Sequence, residues 1–144
     1  MIVLDTNVLS ELLRPAPEPA VLAWFGRQPR AALFTTTLSR AEMLYGVNLL
    51  PAGARREGLA AAIAAIFDVD FAGRVLPFDW DAADAWAVLA AERRLAGQPV
   101  SQVDAMIAAI ARSRGAAVAT RNVKDFAGCG VDLDNPWLMR GQAN

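Results

Sequence analysis

Short β-prone runs alternate with helix-period stretches along this chain, and that alternation limits its fold more than any other feature. "IVL" opens the chain, and a helical pattern runs from about Asn7 to Arg14-Pro15, where proline disfavours helix in the residue before it. "PAPEP" reads as a turn and "PAVLAWFGR" as a short helix with Pro19 near its first position. "ALFTTT" is a second strand. A helix over "SRAEMLYGVNLL" follows, opened by Ser39 with Glu42 three residues later in capping-box spacing. The Ala-rich stretch from about Ala54 to Phe67 predicts another helix, "RVLPF" a short strand, and "DAADAWAVLAAERRLAG" a helix stopped by Gly97. "SQVDAMIAAIARSRG" is amphipathic, with Val103, Met106, Ile107 and Ile110 on one face and Gly115 as its stop, and "AAVAT" is the last strand. Alternation of this kind predicts an α/β fold, a central, mainly parallel sheet covered by helices.

A length of 144 residues suits a single domain, 1–144, with enough chain to bury a core. Apolar residues make up 55% and charged residues 20%, a globular composition. The richest apolar stretch, "GLAAAIAAIF", is followed at once by Asp68 and Asp70, and no run approaches the ~20 residues needed to span a bilayer. The opening residues show no basic region followed by a long apolar segment, so no signal peptide is expected. A single cysteine, Cys129, excludes an internal disulfide and a thiolate cluster. These features predict a cytoplasmic protein without membrane attachment.

The chain contains no histidine, which removes Ser-His and Cys-His dyads, His-ligated zinc and imidazole general bases together. Carboxylate remains, and carboxylate with water selects hard cations such as Mg²⁺ or Mn²⁺. The net charge of −1 argues against a strongly basic nucleic-acid binder. If several acids gather at one metal site, however, the remaining surface is net positive. Thirteen of the fourteen basic residues are Arg, the side chain best shaped for bidentate phosphate contact, although such a bias also arises from genomic composition.

Four acids stand out, each with a plain structural role beside the chemical one. Asp5 ends the first strand and could serve only as a helix cap. Glu42 completes Ser-x-x-Glu with Ser39, and Asp104 completes Ser-x-x-Asp with Ser101, both capping patterns. Asp125, in "TRNVKDF", could be an ordinary first-turn acid. Taken together they mean more. In parallel α/β sheets ligands collect beyond the carboxyl ends of the strands, where Asp5 and "TRNVKD" lie and where a helix carrying Glu42 begins. Four carboxylates there would raise one another's pKa; with one or two Mg²⁺ ions the charge balances and water can be activated for phosphodiester hydrolysis.

"LDTNVLSELL", "TTLSRAEMLYGV", "VSQVDAMIAAIA" and "VATRNVKDF" resemble, in order, the segments of the PIN-domain nucleases, and more narrowly the VapC and FitB-like toxins of type II toxin–antitoxin pairs. The resemblance covers nearly the whole chain, down to the closing "NPW" at Asn135 to Trp137. It implies an α/β/α sandwich, an RNA substrate, and a Mg²⁺ or Mn²⁺ ion surrounded by Asp5, Glu42 and Asp104. Thr6, Asn7 and Thr120 fall on positions that typically orient those acids or the attacking water. Some members carry the fourth acid where this chain has Asn122 and others where it has Asp125, so both stand as candidates. Charge balance favours Asp125 for the metal or its water shell. Asn122 would then bond a ligand acid or a substrate phosphate, with Arg121 or Lys124 near the RNA backbone.

Two other classes of function are compatible with parts of this pattern. A Mg²⁺-dependent phosphatase with an aspartate nucleophile also places Asp after strand one, but that chemistry usually wants a second acid two residues on, where this chain has Asn7. A non-catalytic module of the same fold would act only through partners. The family resemblance implies a cognate antitoxin protein. The high apolar content, with Val21, Leu22, Trp24, Phe25, Ile63 and Ile66 as candidate surface residues, suggests a homodimer and a groove for an antitoxin helix.

Overall fold

In the computed structural model, which describes residues 1–138, five strands form one sheet in the order β3-β2-β1-β4-β5, every neighbouring pair parallel. Along the chain the elements are β1 (Ile2–Leu4), α1 (Thr6–Leu12), α2 (Pro19–Arg27), β2 (Leu33–Thr36), α3 (Thr37–Asn48), α4 (Ala54–Ala65) and β3 (Val75–Leu76). They continue as α5 (Trp80–Leu95), α6 (Gln102–Ser113), β4 (Ala117–Ala119), α7 (Val123–Phe126) and β5 (Leu133–Asp134). Parallel neighbours cannot be joined by hairpins, so each strand is separated from the next by at least one helix.

Helices cover both faces of the sheet, and the strands show why. Successive side chains of a strand point to opposite faces. Val3 and Val118 enter one core with Leu89 of α5, Ile107 and Ile110 of α6 and Phe126 of α7. Leu4 and Ala119, one residue on, enter the other with Val8 of α1, Trp24 of α2, Met43 of α3 and Ile63 of α4. The architecture is therefore an α/β/α sandwich, as the resemblance implies.

Gly97 and Gly115 end α5 and α6 with φ of 74° and 64°, a left-handed conformation that a Cβ would strain. Helix α6 departs from the simple amphipathic expectation. Ile107 and Ile110 are buried, but so are Ala105, Ala108, Ala109 and Ala111, while Val103 and Met106 are only half-buried. Small side chains let this helix sit between α5 and the sheet, covered on most sides.

Three sequence expectations are corrected. Helix α1 starts at Thr6 and ends at Leu12, and α3 starts at Thr37 with Thr36 as its cap, so Ser39 does not open that helix. Strand β5 follows "AAVAT" and was not expected, because two paired residues carry no readable alternation. The supposed surplus of apolar surface is mostly core: Val21, Trp24, Ile63 and Ile66 are buried and Phe25 is half-buried, leaving Leu22 exposed. Among the described residues no helix is long and apolar enough to cross a membrane.

Candidate metal centre

The carboxyl ends of β1, β2 and β4 lie side by side, and each hands its polar residues to the same edge of the sheet. Strand β1 delivers Asp5, which is both the N-cap of α1 and a buried carboxylate, 4% exposed. Its Oδ1 accepts from the Thr6 amide at 2.8 Å, the capping contact. Its Oδ2 accepts from the Thr120 hydroxyl at 2.8 Å and from Asn7 Nδ2 at 3.3 Å. The capping bond uses Oδ1 and leaves Oδ2 to the long-range contacts.

Thr120 and Asn7 tie β4 to β1. The Thr120 hydroxyl accepts from the Asn122 amide at 3.0 Å while donating to Asp5. Asn7 donates to Thr120 Oγ1 at 3.3 Å, and its Oδ1 accepts from the Arg121 amide at 3.3 Å. Thr6 does the same work toward α3. Its hydroxyl lies 2.7 Å from Glu42 Oε1 and 2.9 Å from Ser39 Oγ. A hydroxyl has one proton, so Thr6 donates to the carboxylate and accepts from Ser39.

The cap of α3 decides what Glu42 is free to do. Thr36 Oγ1 accepts from the Ser39 amide at 3.1 Å, so the capping box predicted for Ser39 and Glu42 does not form. Glu42 sits a turn further along and turns toward Thr6. Asp104 keeps its capping partner: Ser101 caps α6 and accepts from the Asp104 amide at 3.3 Å. The Asp104 carboxylate also feels the Ser101 hydroxyl, and it lines the cleft.

Asp5, Glu42 and Asp104 line one open cleft of about 570 Å³ together with Thr6, Asn7, Arg121 and Asn122. Burial pushes the Asp5 carboxyl up to about 6, against the pull of Thr120 and the Thr6 amide, and the charges of Asp104 and Glu42 push the same way. Burial also raises Asp104, against the pull of the Ser101 hydroxyl, and the charge of Asp125 adds to the rise. The two candidates for the fourth position separate here. Asn122 stands at the N-cap position of α7 without a side-chain capping bond and lines the cleft; Asp125, inside α7, lines a smaller neighbouring cavity of about 210 Å³ with Arg93, Lys124 and Asp104.

The residue types suit a hard divalent cation: a buried carboxylate held on both oxygens, two further acids and, among the described lining residues, neither histidine nor cysteine. Among the described residues no group of three acids is already drawn together at metal-ligating spacing. Mutual repulsion of ionised carboxylates favours such separation, and a cation between them would remove it.

The cleft also contains residues that motif reading passed over. Glu11, 6% exposed, pairs with Arg14 at 2.9 Å, and both line the wall beside Asn7 and Ser10. Their i,i+3 spacing in "SELLR" was the available signal. Trp137 also lines the cleft, with the Arg121 guanidinium over its ring, 5.2 Å from the centroid. An acidic floor with arginines at the rim suits a polyanionic substrate.

The model of the PIN domain family matches residues 2–127, covering most of the chain and all of the acids described above. This chain belongs to the PIN-domain family. It falls in the VapC/FitB-like toxin branch. It is 42% identical over 137 residues to the VapC ribonuclease Y4jK of Sinorhizobium fredii, covering 95% of this chain and 98% of the relative. It is 36% identical over 137 residues to the toxin FitB of Neisseria gonorrhoeae, covering 95% of this chain and 99% of that protein. The solved structure of FitAB bound to an IR36 DNA fragment superposes with a TM-score of 0.90 at 36% identity, over 97% of this chain and 98% of that one. The family match and the superposition therefore agree on the PIN fold.

Proposed function

We propose that this PIN domain is a Mg²⁺-dependent endoribonuclease and the toxin of a type II toxin–antitoxin pair. The observation that carries the reading is the buried Asp5 carboxylate, bonded to Thr120 and the Thr6 amide and facing one cleft with Glu42 and Asp104. Its relatives named as a VapC ribonuclease and a FitB toxin support it.

Asp5, Glu42 and Asp104 would hold the Mg²⁺, with Mn²⁺ as a substitute, and Asp125 would add negative charge behind Asp104. Bound there, the cation supplies positive charge that activates water and neutralises the phosphate. Thr120, Thr6 and Asn7 are positioning residues that fix the acids before substrate arrives. Arg121 and Lys124 contact the backbone phosphates, and Asn122 bonds a phosphate oxygen or a ligand acid. Hydrolysis adds water across one P–O bond, leaving a phosphate on one fragment and a hydroxyl on the other.

FitAB and VapBC, the latter named as a family of toxin–antitoxin systems, are among the similar solved structures, and this chain offers a place for such a partner. A groove of about 780 Å³ between α1, α3 and α4 is lined by Leu13, Met43, Val47, Leu50, Leu59 and Ile63 and shares Thr6 and Glu42 with the cleft. An antitoxin helix seated there would reach the acids and block them. Homodimerisation and a cytoplasmic location belong to the same reading.

The test is cleavage of RNA by the purified protein. Activity in Mg²⁺ that EDTA abolishes and Mn²⁺ restores is the expected result. Metal-independent cleavage, or binding of RNA without cleavage, would favour a different chemistry or a purely binding module.

A further inference from the structure

The Asn-Pro-Trp at 135–137 has no part in the acid chemistry, yet its tryptophan stands at the wall of the cleft. Strand pairing explains how it arrives there. Strand β5 runs parallel to β4 with Ala119 opposite Asp134, and the Thr120 amide donates to the Asp134 carbonyl at 2.9 Å. Two chains leaving adjacent parallel strands at the same edge bring Arg121 and Trp137 together. The turn is pinned on both sides. The Trp24 indole N–H donates to Asp134 Oδ2 at 2.8 Å, and the Trp137 amide donates to Asn135 Oδ1 at 3.0 Å.

Trp137 is half-buried against the core beneath α1 to α4, which fixes its plane. Arg121 is exposed, and its guanidinium lies over the indole 5.2 Å from the ring centroid. The pair is thus a fixed aromatic base with a flat cation on top, facing the cleft that holds Asp5 and Asp104. Single-stranded RNA is read by stacking unpaired bases on aromatic rings or on guanidinium planes. A phosphate contact alone would need Arg121 but not the ring beneath it.

From this arrangement we infer that Arg121 and Trp137 form a stacking platform for one nucleobase beside the scissile phosphate. The platform makes that nucleotide's base part of substrate selection. The inference rests on the ribonuclease reading, and goes beyond it by assigning the base contact.

The experiment uses an end-labelled single-stranded RNA of mixed sequence whose main cut by the wild-type protein has been mapped. The same RNA is then made with an abasic ribose at each position flanking the cut, and kcat/KM is measured in Mg²⁺. In the wild type, one abasic position should lower kcat/KM by about 5- to 100-fold, the range that loss of a base–aromatic stack produces. Trp137→Leu and Arg121→Lys should cut the intact RNA more slowly and show little further loss on the abasic RNA. Trp137→Phe should recover most of the discrimination. Arg121→Lys keeps the charge and lies on the surface, so it separates planarity from phosphate attraction without endangering the fold. The inference is overturned if no abasic position slows the wild type, or if the variants keep the full abasic penalty. If the wild type cuts no RNA in Mg²⁺, the ribonuclease reading itself fails, and the variants are not needed to see it.

Discussion

Thr120 and Asp5, 115 residues apart in the chain, meet through a 2.8 Å hydrogen bond from the threonine hydroxyl to the buried carboxylate. That bond lowers the Asp5 pKa against the rise caused by burial. Thr120→Val, which keeps the shape and removes the hydroxyl, should therefore push the Asp5 pKa further up. The low-pH limb of the cleavage profile should move to higher pH, a change that loss of stability alone does not produce. The fold should lose about 1–2 kcal/mol, because the Asn122 amide also loses its acceptor. A pH–rate series and a urea titration measure the two effects separately.

Asp5→Asn and Asp104→Asn should abolish metal-dependent cleavage and leave the fold intact, since neither removes apolar packing. Wild-type rates in either variant would place the centre elsewhere.

Stability of the cation-free protein should depend on pH through Asp5. In the folded chain this group titrates at about 6 instead of the ordinary 3.8, so between these values the folded state binds more protons than the unfolded one. Stability should fall as pH rises through that window, by at most roughly 3 kcal/mol. Asp5→Asn should flatten this dependence and be the more stable form at neutral pH. Adding Mg²⁺ should restore the wild type's advantage by binding to its folded state. Urea titrations across the window, with EDTA and then with Mg²⁺, test the sign.

Glu42 and Thr36 should behave oppositely. Thr36→Ala removes the cap of α3 and should lower stability by about 1 kcal/mol. Glu42→Gln should leave stability nearly unchanged and remove most cleavage, because its carboxylate bonds Thr6 and not the helix terminus. Thermal melts paired with RNA cleavage distinguish the two.

Asn122 and Asp125 should separate by the quantity they alter. Asp125→Ala removes a negative charge that acts on Asp104, and should raise the Mg²⁺ concentration needed for half-maximal cleavage. Asn122→Ala, changed within the cleft itself, should lower the rate with a smaller shift of that midpoint. The reverse pattern in Mg²⁺ titrations would exchange their roles.

The parallel sheet, its helices and the acids at its edge were legible in the sequence because each is a local signal. "IVL" running into "DTN", glycines stopping α5 and α6, and Ser101 before Asp104 all act within a few residues. Tertiary structure decided whatever depended on partners distant in the chain. Ser39 and Glu42 have the spacing of a capping box, but Thr36, ending a strand paired in the sheet, takes the cap and frees Glu42 for Thr6. Strand β5 is too short to announce itself and exists because β4 offers it an edge. Its pairing carries Trp137 to Arg121, a contact that no sequence spacing encodes. Val21 and Ile63 are buried, Ile63 in the core on the second face of the sheet, a partnership that helix periodicity alone does not specify. Composition and periodicity thus determined which residues could do chemistry, and long-range strand pairing decided which of them share a cleft, because register alone fixes what meets at the strand ends.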